Sequence, residues 1–114
     1  MAEKKKRLEE TPHDAIKHYE MAARENANDG DAHLNLATAY YAAHDYDNAE
    51  KHFAEAARLK DTLYHAHYYL GILAARRGNL DKARQALQRV ANESNNFILK
   101  AQAATMLRSL DRKN

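Results

Sequence analysis

Apolar residues recur along this chain at helical spacing, in blocks separated by short polar breaks. That is the pattern of amphipathic helices packed on one another. Ala15, Tyr19 and Ala22 form one stripe at i, i+4 and i+7. Ala49, Phe53 and Ala56 form a second, and Ala83, Leu87 and Val90 a third. Helices are predicted over residues 12–25, 31–43, 46–59, 62–76, 80–92 and 97–110. Local signals mark their limits. Thr11-Pro12-His13-Asp14 joins a threonine cap, a proline at the first helical position and an acid three residues after the cap. Asp29-Gly30-Asp31 opens the second helix. Asp45 can cap the third, with Asn48 three residues on; Asp61 or Thr62 can cap the fourth, and Asn79 the fifth. Gly78 suits the left-handed position that ends the fourth helix. The last predicted helix carries Ile98, Ala101, Met106, Leu107 and Leu110 as its apolar face, which would cover the end of a stack.

The three stripes stand 34 residues apart, and the same interval recurs outside them. It separates His18 from His52, Ala32 from Ala66, His33 from His67, Leu36 from Leu70, and Asp47 from Asp81. So many coincidences in a short chain indicate duplicated units, each reading as a helical hairpin. The alanines at the head of each stripe let the two helices of a hairpin approach closely. Residues 1–10 offer only Met1 and Leu8 as sizeable apolar side chains. Residues 1–11 are read as a basic tail or a solvated helical extension, so the first unit is half a hairpin.

Composition narrows the class. With 114 residues there is room for one domain, and 45% hydrophobic with 30% charged residues is ordinary for a folded chain. Three glycines and one proline are too few for the turns of a sandwich or barrel, so the fold class is all-α. No apolar run approaches the ~20 residues of a membrane span. MAEKKKRLEE has no apolar core of a secretory signal, and the default location is cytoplasmic. The absence of cysteine excludes disulfides, thiolate metal sites and cysteine nucleophiles. The net charge of +2 comes from the two ends and leaves the middle acidic, so no folded basic surface for nucleic acid is expected.

Leu36-Ala37-x-x-Tyr40 followed by Ala49-x-x-x-Phe53-x-x-Ala56 resembles the tetratricopeptide repeat (TPR) signature. So does Leu70-Gly71 followed by Ala83-x-x-x-Leu87-x-x-Val90. The resemblance covers roughly residues 12–97. Three departures stand out. His33 and His67 hold the family's tryptophan position, Ala74 replaces an aromatic, and Asp61 and Asn95 replace the proline between units. The resemblance implies antiparallel hairpins in a short right-handed superhelix: a half repeat at 12–29, repeats at 30–63 and 64–97, and a capping helix at 97–110. It also implies a non-catalytic scaffold that binds a helix or peptide of another protein in a concave groove.

Two of the predicted helices are greasier than a surface helix should be. Between Leu63 and Ala75 only His65 and His67 are strongly polar, and between Ala32 and Ala43 only His33, Asn35 and Thr38. Leu36, Ala37, Tyr40, Leu70, Gly71 and Ala74 account for one side of these helices by packing within the hairpins. Leu34, Thr38 and Tyr41 line the other side of the second helix; Tyr68, Ile72 and Ala75 line the fourth. In the tetratricopeptide arrangement these residues face the groove, flanked by Asn35, Tyr69 and Arg76, with Asp31 and His65 at its polar margin. An apolar, tyrosine-rich groove suits a partner's apolar helix or extended peptide. Self-association through the same surface or the open first unit, and burial as plain core, are the alternatives. Asn35 alone fits the family's carboxylate clamp for acidic chaperone tails, so such a ligand is not expected.

No two histidines stand at i, i+3 or i+4, so no metal site is expected, and His33 and His67 are read as packing between hairpins. There is no phosphate loop, nucleophile motif or HExxH, and neither an enzyme nor a cofactor is expected.

Overall fold

The computed structural model describes residues 11–112. The basic tail read at the N-terminus lies, but for Thr11, outside them, as do Lys113 and Asn114. The described residues form six helices: α1 (Pro12–Glu25), α2 (Gly30–Ala42), α3 (Tyr46–Leu59), α4 (Tyr64–Arg76), α5 (Leu80–Glu93) and α6 (Phe97–Arg112). Each packs against its neighbour in sequence, and α4 also touches α6. The dimensions are 53 × 32 × 26 Å, and the radius of gyration is 15.7 Å. A compact chain of about 100 residues would be nearer ~13 Å. The molecule is therefore a stack, extended in one direction.

The caps explain where most helices begin. Thr11 and Asp14 close a capping box on α1, the Asp14 amide donating to the Thr11 hydroxyl at 3.2 Å and the Thr11 amide to Asp14 at 3.3 Å. This bonding, above all that from the Thr11 backbone, holds the Asp14 carboxyl below its ordinary pKa. Asp29, Asp45 and Asn79 cap α2, α3 and α5 with their side chains. Asn96 caps α6, accepting from the Leu99 amide at 3.0 Å. The fourth helix differs from expectation. Its cap is Leu63, with no side-chain bond, since the helix begins at Tyr64 and leaves Asp61 and Thr62 in the turn before it. The Asp61 carboxylate pairs with Arg89 of α5, and its carbonyl accepts from His67.

Small residues set the close approaches. Ala49 and Ala83 are fully buried, whereas Ala15 of the half unit is only partly so. The core divides into two clusters. One gathers Leu36, Tyr40, Phe53 and Leu73; the other gathers Leu87, Val90, Leu99 and Leu110. This is what stacked units that touch only their neighbours should show.

The histidines at the repeat-equivalent positions do more than fill space. His33 Nε2 donates to the Ala27 carbonyl at 2.9 Å, and His67 Nε2 to the Asp61 carbonyl at 3.0 Å. Each ties the loop before a hairpin to that hairpin's first helix, stiffening a connection that lacks proline.

The last helix departs from its predicted face. Leu99, Ala103 and Leu110 are buried, with Met106 and Leu107 half-buried beside them; Ile98 and Ala101 are exposed. The cause is the preceding loop. Four residues separate α3 from α4, but only three separate α5 from α6. The last helix is thereby set in a 33-residue register, and Ile98, Ala101, Gln102 and Thr105 take the places of His65, Tyr68, Tyr69 and Ile72.

Candidate partner-binding surface

The residues singled out on α2 and α4 divide into two groups. The first is an aromatic cluster that joins the repeats. Tyr69 stacks on buried Phe53 at 4.9 Å between ring centres and meets Tyr41 at 4.9 Å. Tyr41 in turn touches Tyr46 edge-on at 5.4 Å. The Arg76 guanidinium lies over the Tyr46 ring at 4.1 Å, a cation–π contact. Tyr41 and Tyr69 are therefore half-buried, part of the scaffold and only in part a surface.

The second group faces outward. Asn35, Thr38, Asp31 and His65 are exposed; Leu34, Tyr68 and Ile72 are half-buried. Thr38 turns its hydroxyl back onto the Leu34 carbonyl at 2.8 Å, so its own polar group is already satisfied. Asp31 stands 3.7 Å from Lys60 at the end of α3, an exposed ion pair of little energetic weight. Tyr68 meets Tyr69 edge-on at 5.5 Å. Burial, then the neighbouring Tyr69 and Tyr41, push the Tyr68 hydroxyl above its ordinary pKa. Tyr41 is raised by burial with Tyr46 and Tyr69, against the opposing Arg76. Both present uncharged hydroxyls at neutral pH.

An apolar groove on this face was not foreseen as a site. Tyr68 of α4 and Ile98, Ala101, Gln102, Thr105 and Met106 of α6 line a groove of about 390 Å³. Ile98 is 72% exposed, and neighbouring Phe97 is 86% exposed. The sequence held the clue in the short Asn95-Asn96 connection, which moves α6 one residue out of the 34-residue register. Among the described residues, no three histidine or acidic side chains come together to hold a metal ion. No helix there is long and apolar enough to cross a membrane.

The model of the tetratricopeptide repeat family matches residues 7–63 and again residues 38–96. The chain belongs to the tetratricopeptide repeat family. Its fold is the stacked, superhelical arrangement of hairpins that this family builds. A protein–protein interaction module is the function class that this membership supports. Two solved structures of the Yersinia enterocolitica type III secretion translocator chaperone SycD share the fold. One has a TM-score of 0.81 at 20% identity, over 90% of this TPR chain and 73% of SycD. The other, described as an alternative dimer, has a TM-score of 0.80 at 21% identity, over 90% and 80%. MamA shares it with a TM-score of 0.70 at 23% identity, over 90% of this chain and 63% of MamA. No curated protein sequence matches the chain.

Proposed function

We propose that this TPR protein binds an apolar helix or extended segment of another protein along the face built by α2, α4 and α6. The observation that carries the reading is the groove between Tyr68 and α6. It is apolar at its walls, wet at Gln102 and Thr105, lined in part by an isoleucine that the fold leaves uncovered, with the uncovered Phe97 next to it in the chain. Large exposed apolar side chains beside a groove mark interaction surfaces more often than they occur by chance. Leu34, Thr38 and Ile72 extend the same surface toward α2, with Asn35, His65 and Arg76 at its edges. The partner fills the groove with aliphatic or aromatic side chains and meets the tyrosine hydroxyls at the rim.

The test uses helical peptides selected against the intact protein from a displayed library. Tyr68→Ala and Ile98→Asp should each weaken the selected peptides by about 1–3 kcal/mol, roughly five- to 150-fold, with an unchanged far-UV circular dichroism spectrum. Equal affinity for both variants and the parent would refute the groove. Self-association through this surface is the second reading, favoured by the exposed Phe97 and Ile98 at one end of the stack and by the alternative dimer of SycD. Light scattering over a concentration series distinguishes it, since a dimer formed this way dissociates in Ile98→Asp.

A further inference from the structure

On the other side of the stack, α1, α2 and α3 enclose a second groove of about 270 Å³, bordered by Glu20, Arg24, Leu36 and Tyr40 together with two histidines. His33 of α2 and His52 of α3 face each other there, Nδ1 to Nδ1, at 3.2 Å, with ring centres 5.4 Å apart and ring planes 15° apart, edge to edge. The Tyr40 ring lies 5.7 Å from that of His52, with planes 15° apart, and its hydroxyl donates to the Glu20 carboxylate of α1 at 2.7 Å. One line of contacts therefore joins three helices: α2 and α3 through the histidines, and α1 through Tyr40 and Glu20.

The hydrogen positions follow from the partners. His33 Nε2 faces the Ala27 carbonyl at 2.9 Å and must carry a proton. In a neutral His33 the Nδ1 lone pair is then free, so His52 must donate to it from Nδ1. A first added proton can sit on His52 Nε2 and keep this bond, but it puts a charge into a half-buried site beside His33 and Lys51 and so weakens the contact. A second would place two N–H groups head to head across 3.2 Å, where each repels the other. The pair accommodates one extra proton and not two.

We propose that the His33–His52 contact is a proton-sensitive clasp that fastens α3 to α2, and through Tyr40 fastens α1, and that opens on acidification. Other charges face the pair from α1 and α3. Glu20 and Arg24 come from α1, and Lys51 and Glu55 from α3 itself; α2 contributes Tyr40 and His33. Glu55 is engaged with Arg58 on its own helix. Burial, then His33 and Lys51, lower the His52 pKa below its ordinary 6.5, against the weaker pull of Glu20 and Glu55. A lowered folded-state pKa means that the unfolded chain binds more protons in this range. The clasp's stability is present above pH ~6.5 and is lost as pH falls through the lower, folded value.

The experiment compares thermal melting of the protein and of His52→Gln between pH 8 and pH 5. Glutamine can still donate an N–H to His33 but cannot titrate. The acid-induced drop in Tm should be smaller in the variant by about 3 °C or more, with similar Tm values at pH 8. An equal drop in both proteins overturns the proposal. So does stabilisation of the parent by Zn²⁺ at pH 7.5 that the variant loses, because two lone pairs at this separation could instead grip a metal ion. Long-range nitrogen–proton NMR on the parent gives an independent reading at pH 8. It should show the Nδ1–H form of His52 and the Nε2–H form of His33, and an Nε2–H form of His52 would end the idea.

Discussion

Gly71 is the sharpest probe of how the hairpins are packed. It is buried in α4 where that helix crosses α5. A Cβ placed on it would stand 2.8 Å from Leu87 Cγ, 3.1 Å from Leu87 Cδ2 and 3.3 Å from the Ala83 carbonyl oxygen. Unstrained carbon contacts lie at ~3.5–4.0 Å. Leu87 and Ala83 are both fully buried, so the leucine branch has no solvent to swing into. Either α4 and α5 part by about 0.7 Å to restore contact distance, or Leu87 leaves its rotamer. Overpacking of this kind costs ~1–3 kcal/mol. Alanine returns up to ~1 kcal/mol of helix propensity relative to glycine. The net expectation for Gly71→Ala is a loss of ~0.5–2 kcal/mol, or a Tm lower by roughly 2–10 °C. Urea and thermal melts followed by circular dichroism read this directly. Leu87→Ala supplies the control. It costs ~2–5 kcal/mol by itself but removes the clashing carbons, so adding Gly71→Ala to it should be neutral or stabilising. If Gly71→Ala stabilises the parent, or has the same effect in both backgrounds, the steric argument fails.

Gly78 and His44 hold equivalent positions, both in the left-handed region, with φ of 86° and 63°. A Cβ at Gly78 would meet nothing within 4 Å, so Gly78→Ala should cost ~1–2 kcal/mol from the backbone alone. His44→Gly should relieve that strain, offset by the lost 2.7 Å bond to the Tyr46 hydroxyl, for a net gain of up to ~1 kcal/mol in urea melts. The Tyr40 hydroxyl is pushed up to about 12, by burial first and then by its bond to Glu20. Because its folded pKa exceeds the unfolded value of 10.0, its contribution is intact below pH 10 and lost as pH rises through about 12. Tyrosinate absorbance should show several tyrosines titrating late, and the latest of them should be absent in Tyr40→Phe, which should also lose ~1–2 kcal/mol at neutral pH.

The period, the caps and the hairpin alanines were legible because each is local or repeats. A residue such as Asp45 announces a helix start with its own side chain, and Phe53 announces a core position by its place in the stripe. Two kinds of feature were not legible. Asp61 looks like a cap by sequence, but Arg89 and His67, 28 and six residues away, claim its carboxylate and carbonyl. Ile98 and Ala101 look like core by spacing, but a connection shorter by one residue rotates α6 and exposes them. Tyr69 is the intermediate case. Its place beside the proposed groove follows from the period, yet its stacking on Phe53 depends on how two repeats meet. Pairings across the fold lie beyond any local window of sequence, and a register shift at a loop shows only when the loop is counted against the repeat.

That shift bears on how fold and recognition are divided in this TPR protein. Leu99, Ala103 and Leu110 carry the closure of the stack, and their burial needs nothing from Phe97 or Ile98. Helix α6 thus has one face committed to stability and another free of it. On α4 the division is less clean, since Tyr69 serves the inter-repeat contact while adjacent Tyr68 borders the groove. On the proposed reading, substitutions on the outer face of α6 should retune what the groove accepts at little cost to folding. Changes at Tyr41 or Tyr69 would loosen the joint between repeats along with the surface. Affinity should be separable from stability at Ile98, Ala101 and Gln102, and inseparable from it at the aromatic cluster.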